Sequence, residues 1–188
     1  MGFHDSTGTY RVTRTEYIRI FIANGILAAG TPLAAFANGA STTPGLAFDN
    51  SKACGVRWNN DAAPAKFIVN VPSPVDRKPG TDATLVITAA KSGATPGDVV
   101  TFTVEAFNQD VAALQDADTD FGGITSPMTA AATAKTVQRV TLALASANLA
   151  AAPSMMTVSI KPTAGTLGTD DVTIHGAWLQ YERAISDS

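Results

Sequence analysis

Charge is scarce in this sequence. Lys, Arg, Asp and Glu together supply 15% of 188 residues, against roughly a quarter in an ordinary soluble domain. The formal net charge is -3, and the 13 basic residues form no dense run. That excludes a general nucleic-acid binder, which displaces counterions with clustered Lys and Arg. Cysteine is nearly absent: Cys54 stands alone, so there is no intrachain disulfide and no cysteine-based metal site. Histidine occurs only at His4 and His175, which leaves few ways to assemble a Cys-His or Ser-His-Asp constellation. There is no Gly-x-Ser-x-Gly elbow. The longest apolar stretch, IFIANGILAAGTPLAAFA, is broken by Asn24-Gly25 and Gly30-Thr31-Pro32 before the roughly 20 residues a membrane helix needs. A long amphipathic helix is missing as well.

Hydrophobic residues nonetheless make up 45% of the chain, enough to bury a real core and argue against wholesale disorder. The charge deficit is filled by Ala, Thr, Ser and Gly, a neutral surface suited to packing against other protein. The dominant pattern is alternation with a period of two. In GDVVTFTVEA, Val100, Phe102, Val104 and Ala106 share one face, while Thr101, Thr103 and Glu105 share the other. The same alternation recurs at Leu46 and Phe48; Cys54, Val56 and Trp58; Phe67, Val69 and Val71; Leu85 and Ile87; Val140, Leu142 and Leu144; and Met156, Val158 and Ile160. On this parity Cys54 is a small buried hydrophobe beside Val56 and Trp58 rather than a nucleophile.

Turn signals separate the runs: Asn59-Asn60-Asp61, Pro72-Ser73-Pro74, Pro79-Gly80, Pro96-Gly97 and the stretch from Pro162 to Gly168. Ala-rich pieces at 111–117, 128–134 and 146–152 read as single helical turns in connections. With the closing stretch there are eight strands from Leu46 onward, and a ninth from Tyr10 to Ile22. The fold class is therefore all-β: a two-sheet antiparallel sandwich with jelly-roll topology preferred to an immunoglobulin-like one, whose cysteine pair is absent. Residues 46–188 form the sandwich. Residues 1–45 read as an extended N-terminal arm, or as an edge strand of the same sandwich. Their basic residues, apolar run and Ala35-Phe36-Ala37 have the parts of a secretory signal, but Asp5, Glu16 and the interrupted apolar run fit an arm better.

Candidate sites are sparse. Asp116, Asp118 and Asp120 alternate as in a loop that converges carboxylates on Ca²⁺. The sixth and twelfth positions of that pattern are Phe121 and Pro127 instead of Gly and Glu, so a solvated acidic turn is the preferred reading and no metal or cofactor is assigned. TDDVTIHGAWLQYERA places His175 near Asp170 and Asp171, but nothing else completes a catalytic set. Its apolar parity changes after Gly176, so a β-bulge there would keep Val172, Ile174, Leu179 and Tyr181 on one buried face. Trp178 then points outward. Aromatic platforms for a sugar would come from Trp58, Phe107, Phe121, Trp178 or Tyr181. In RVTRTEYIRIFIANGIL, Ile18, Ile20 and Ile22 alternate with Tyr17, Arg19 and Phe21, so both faces invite burial. Arg11, Arg14 and Arg19 are available to pair with acidic partners. With Trp178, these residues form the expected interface.

GDVVTFTVEAF, AKTVQRVTLALASANLAAAPSMMTVSIKPTAG and GTLGTDDVTIHGAWLQYERA together resemble jelly-roll capsid cement (decoration) proteins and related fibre modules of tailed bacteriophages. The resemblance runs from about Leu46 to Ala184 and rests on strand patterns. It implies a structural virion protein on the capsid exterior, often a homotrimer, that staples neighbouring major capsid subunits without enzymatic chemistry. Nucleic acid and membrane are not among the expected partners. The alternative is a receptor- or carbohydrate-binding β-sandwich module of a phage fibre or bacterial surface protein.

Overall fold

A computed structural model describes residues 2–4, 10–36, 43–49, 53–59, 63–74, 76–93, 99–109, 120–129, 133–149, 155–167 and 170–186. Twelve strands are present among them: β1 (Gly2–His4), β2 (Tyr10–Ile20), β3 (Ile26–Leu27), β4 (Gly45–Asp49), β5 (Ala53–Trp58), β6 (Phe67–Pro72), β7 (Ala83–Lys91), β8 (Val99–Gln109), β9 (Asp120–Thr129), β10 (Gln138–Leu144), β11 (Met155–Pro162) and β12 (Val172–Ser186). Single 3-10 turns occupy Ile22–Asn24 and Ser146–Asn148. No helix among the described residues is long and apolar enough to cross a membrane.

The topology is a jelly roll. In one sheet β5, β12, β7 and β10 lie side by side; in the other the order is β6, β11, β8, β9. From β5 onward the chain crosses between sheets at every step except the β8–β9 hairpin, which gives the two four-stranded layers of two Greek keys. All pairings between strands are antiparallel. The inward parity expected for β8, β10 and β11 is realised: Val100, Phe102, Val104, Ala106, Leu144, Met156, Val158 and Ile160 are fully buried, and Val140 and Leu142 nearly so. Trp58 packs on Phe67 with ring centroids 5.7 Å apart, and its indole N–H donates to the carbonyl of Ala65 at 2.8 Å.

Residues 1–45 feed both sheets. β2 pairs with β12 from Arg11 to Ile20, and β3 pairs with β6 in the opposite sheet. Ile20, Ile22 and Leu33 belong to the same core as Trp58 and Leu179. The described part of the stretch read as an arm or an edge strand therefore packs on its own sandwich, with Ile20 and Ile22 in the core and Ile18 partly against it.

Three expectations need correction. The eight strands read from Leu46 onward leave out 120–129, yet this segment forms β9. Its Gly122, Gly123 and Pro127 hide any alternation; β9 is an edge strand, where Pro needs no ladder partner, and its register against β8 shifts between Val104 and Ala106. Leu46 and Phe48 are exposed, Phe48 by 77%, while Ala47 between them is buried. Cys54, the direct partner of Phe48, is exposed as well. Parity does put these residues in line with Val56 and Trp58, but Leu46 and Phe48 stand on the edge strand β4, and Cys54 pairs with Phe48 near the tip of the hairpin, whereas Val56, opposite Leu46, is fully buried. Ser146–Asn148 is the 3-10 turn seen in the 146–152 piece, while Met128 and Thr129 belong to β9 and residues 111–117 lie outside the described residues.

Candidate functional site

The closing strand changes both its face and its neighbour at one point. Ile174 pairs with Ala89 and Gly176 with Thr88, so His175 is the extra residue of a β-bulge. Before the bulge one edge of β12 pairs with β5, at Val172–Ile174; after it the same edge pairs with β2, from Ala177 onward. The bulge keeps Val172, Ile174, Ala177 and Leu179 on the core side. Gly176 does not supply a left-handed backbone, since positive φ occurs in glycine only at Gly30, Gly80 and Gly165 among the described residues. The demanding glycine is Gly55 on β5, where a Cβ would lie 2.3 Å from the backbone oxygen of Ile174.

The junction of β5, β2 and β12 opens a groove on the outward face of this sheet, with a volume of about 820 Å³. Tyr17, Arg19, Phe21, Asn24, Arg139, His175 and Trp178 line it. Each arrives for a local reason. On β2, Ile18 and Ile20 turn to the core, which sends Tyr17 and Arg19 outward. The chain then leaves the sheet through a 3-10 turn closed by the Asn24 N–H on the Phe21 carbonyl at 2.9 Å. That turn buries Ile22 and leaves Phe21 63% exposed; Tyr17 is 60% exposed.

Trp178 sits across from Arg19 on β2 and Val86 on β7. From β10, Arg139 reaches across β7 and sets its guanidinium 5.7 Å from the centre of the Trp178 ring, a cation–π distance. It also donates to the Gln180 side-chain oxygen at 3.0 Å. Val86, beneath that span on the outward face, is completely buried. His175 also lines the groove, with Nδ1 3.3 Å from the Cys54 carbonyl, which accepts.

The structure separates residues that are close in sequence. Asp170 holds the buried Lys91 at 3.1 Å, and its neighbour Asp171 lies 3.8 Å from Arg57 and is joined through its backbone to Ser92. Both aspartates tie loops at the start of β12, and His175 turns to Cys54 instead. No three His, Cys, Asp or Glu side chains come together as a metal site among the described residues. Asp116 and Asp118 lie outside the described residues, and only the backbone of Asp120 is described, at the start of β9.

Of the expected interface residues, Ile20 and Ile22 are core and Ile18 packs partly against it. Arg14 is exposed, 3.4 Å from Glu16, and Arg11 is described only as backbone in β2. Tyr17, Arg19, Phe21 and Trp178 are the four that meet in the groove. Among the other aromatic candidates, Trp58 is fully buried, Tyr181 is buried, and Phe107 is half-buried on the outward face of the second sheet. Arg139 was missed. Its only signal is the jelly-roll order, which places β10 two strands from β12.

No protein-family model matches the sequence, and no curated protein matches it. Among solved structures, the chain is similar to a xylan-binding module, CBM15, with a TM-score of 0.49 at 14% identity over 89% of this chain and 97% of that one. It is similar to the family 30 carbohydrate-binding module of a cellulosomal cellulase of Clostridium thermocellum, with a TM-score of 0.45 at 11% identity over 87% of this chain and 96% of that one. A weaker likeness is to the enzymatically active domain of tailspike protein 4 of bacteriophage CBA120, with a TM-score of 0.37 at 10% identity over 78% of this chain and 18% of that one. At these identities and scores the likeness carries no statement about ligand or activity.

Proposed function

We propose that this protein is a non-enzymatic glycan-binding β-sandwich module whose site is the groove at the bulge of β12. The observation that carries the reading is the meeting of three aromatic rings, Tyr17, Phe21 and Trp178, with the polar groups of Arg19, Asn24, Arg139 and His175 in one groove. A sugar presents an apolar C–H face and a rim of hydroxyls. Aromatic faces carry negative quadrupole density that accepts C–H groups, and fixed donors and acceptors select hydroxyl positions. The volume is within the range of about 300–1,000 Å³ typical of small-molecule sites, enough for a short stretch of oligosaccharide.

A glycan array probed with the wild-type protein and Trp178→Ala tests this. Selective binding that falls at least tenfold in Trp178→Ala, with the melting temperature nearly unchanged, supports the reading. Wild-type binding to no glycan, or binding indifferent to Trp178, overturns it.

Attachment to a phage capsid, as a homotrimer on major capsid subunits, is a separate proposal. Ile20 and Ile22 are committed to the chain's own core, so such attachment would use the outward Tyr17, Arg19, Phe21 and Trp178. Decoration of empty capsids that is lost in a Tyr17→Ala/Phe21→Ala double variant would favour it over the glycan reading.

A further inference from the structure

Resting on the glycan reading, we infer that the groove selects an acidic glycan, with sugar carboxylates paired to Arg19 and Arg139. The chain as a whole is acidic, with a net charge of -3, yet among the described residues no Asp or Glu lines the groove, whereas two arginines and a histidine do. The charge of this site is therefore opposite in sign to that of the molecule.

Neither arginine has a salt-bridge partner among the described residues. Elsewhere the chain pairs its cations closely: Lys66 with Glu105 at 2.8 Å, Lys91 with Asp170 at 3.1 Å and Arg183 with Asp76 at 2.8 Å. Arg139 is also held in place. The Trp178 ring and the Gln180 oxygen fix the guanidinium, and five N–H donors leave most of its hydrogen-bonding capacity unused. A planar guanidinium matches a carboxylate in a two-point pair, which an ammonium does not. Arg19 stands directly across the ladder from Trp178 and Arg139 lies over its ring, so cations from β2 and β10 border the place where the sugar would sit. A uronate residue, with an apolar ring face and a carboxylate at its edge, fits that arrangement.

Isothermal titration with polygalacturonate, its fully methyl-esterified form, neutral dextran and dextran sulfate tests the inference. Polygalacturonate should bind at least tenfold more tightly than the ester or dextran, and its affinity should fall as salt rises. Arg19→Gln and Arg139→Gln should each weaken it about tenfold, and Arg139→Lys should fail to restore it. Equal binding of acid and ester, with no effect of the arginine variants, overturns carboxylate selection while leaving the glycan reading standing if Trp178→Ala still abolishes binding. Dextran sulfate binding as tightly as polygalacturonate overturns the assignment to carboxylate. No binding by any of the four polymers overturns the inference, and the wider array then decides the glycan reading.

Discussion

Two residues show how burial fixes the chemistry of single groups. Lys91 is an almost completely buried cation at the end of β7, and Asp170 answers it from the start of β12. Removing one member of a buried pair costs about 3–5 kcal/mol, because the remaining charge loses its counter-charge. Asp170→Ala should therefore lower stability by about 3 kcal/mol in urea unfolding. If it costs less than about 1 kcal/mol, the pair is not what anchors this loop. The second residue is Tyr181, whose phenol is pushed up to about 12 by burial first and then by Asp76 and Glu16, against a smaller opposing effect of Arg183. Its protonated form is the one the fold favours. The corresponding stability is fully present below about pH 10 and is lost as pH rises from about 10 to about 12, at most roughly 3 kcal/mol for two units. An ultraviolet titration of the three tyrosines should show one phenolate that forms last and disappears as a distinct step in Tyr181→Phe.

At the level of elements, the bulge in β12 links sequence to site most directly. Without the extra His175, a one-residue slip would turn Ala177, Leu179 and Tyr181 outward. It also frees the edge of β12 to leave β5 and take up β2, and the groove opens at that exchange. Gly55→Ala places a methyl group against the Ile174 carbonyl, backbone that cannot swing aside, and should cost about 2 kcal/mol or more. Gly176→Ala meets only the Thr88 hydroxyl, at 3.2 Å, and should cost less than about 1 kcal/mol. Thermal melts of the two variants check the contrast, and equal effects would contradict it.

Alternation made β8, β10, β11 and the face change in β12 legible from sequence, because each strand has a covered side and a solvated side. It misread Leu46, Phe48 and Cys54, since parity says which residues share a face but not which of them stand on an edge strand or near a hairpin tip. β9 was invisible because two glycines and a proline on an edge strand leave no pattern. The groove was half legible: Tyr17, Arg19, Phe21 and Trp178 could be picked out as outward or interfacial. That β10 would bring Arg139 to Trp178 follows only from the strand order.

For the whole molecule, two sheets packed through one core hold a rigid face; of the proposed binding groups, Tyr17, Arg19, Arg139, His175 and Trp178 stand on strands, and Phe21 and Asn24 on the short turn that follows β2. Such a site is formed before the ligand arrives, so binding should leave the fold unchanged and raise its melting temperature by mass action. The two tryptophans make this directly observable. Trp58 is fully buried, whereas Trp178 is half-exposed in the groove. The decisive measurement is tryptophan fluorescence during titration with oligogalacturonates and with neutral xylo- and cello-oligosaccharides. A saturable shift with at least one series, absent in Trp178→Phe, is the predicted result. No saturable change with any series, or an identical change in Trp178→Phe, would contradict a glycan groove at this strand.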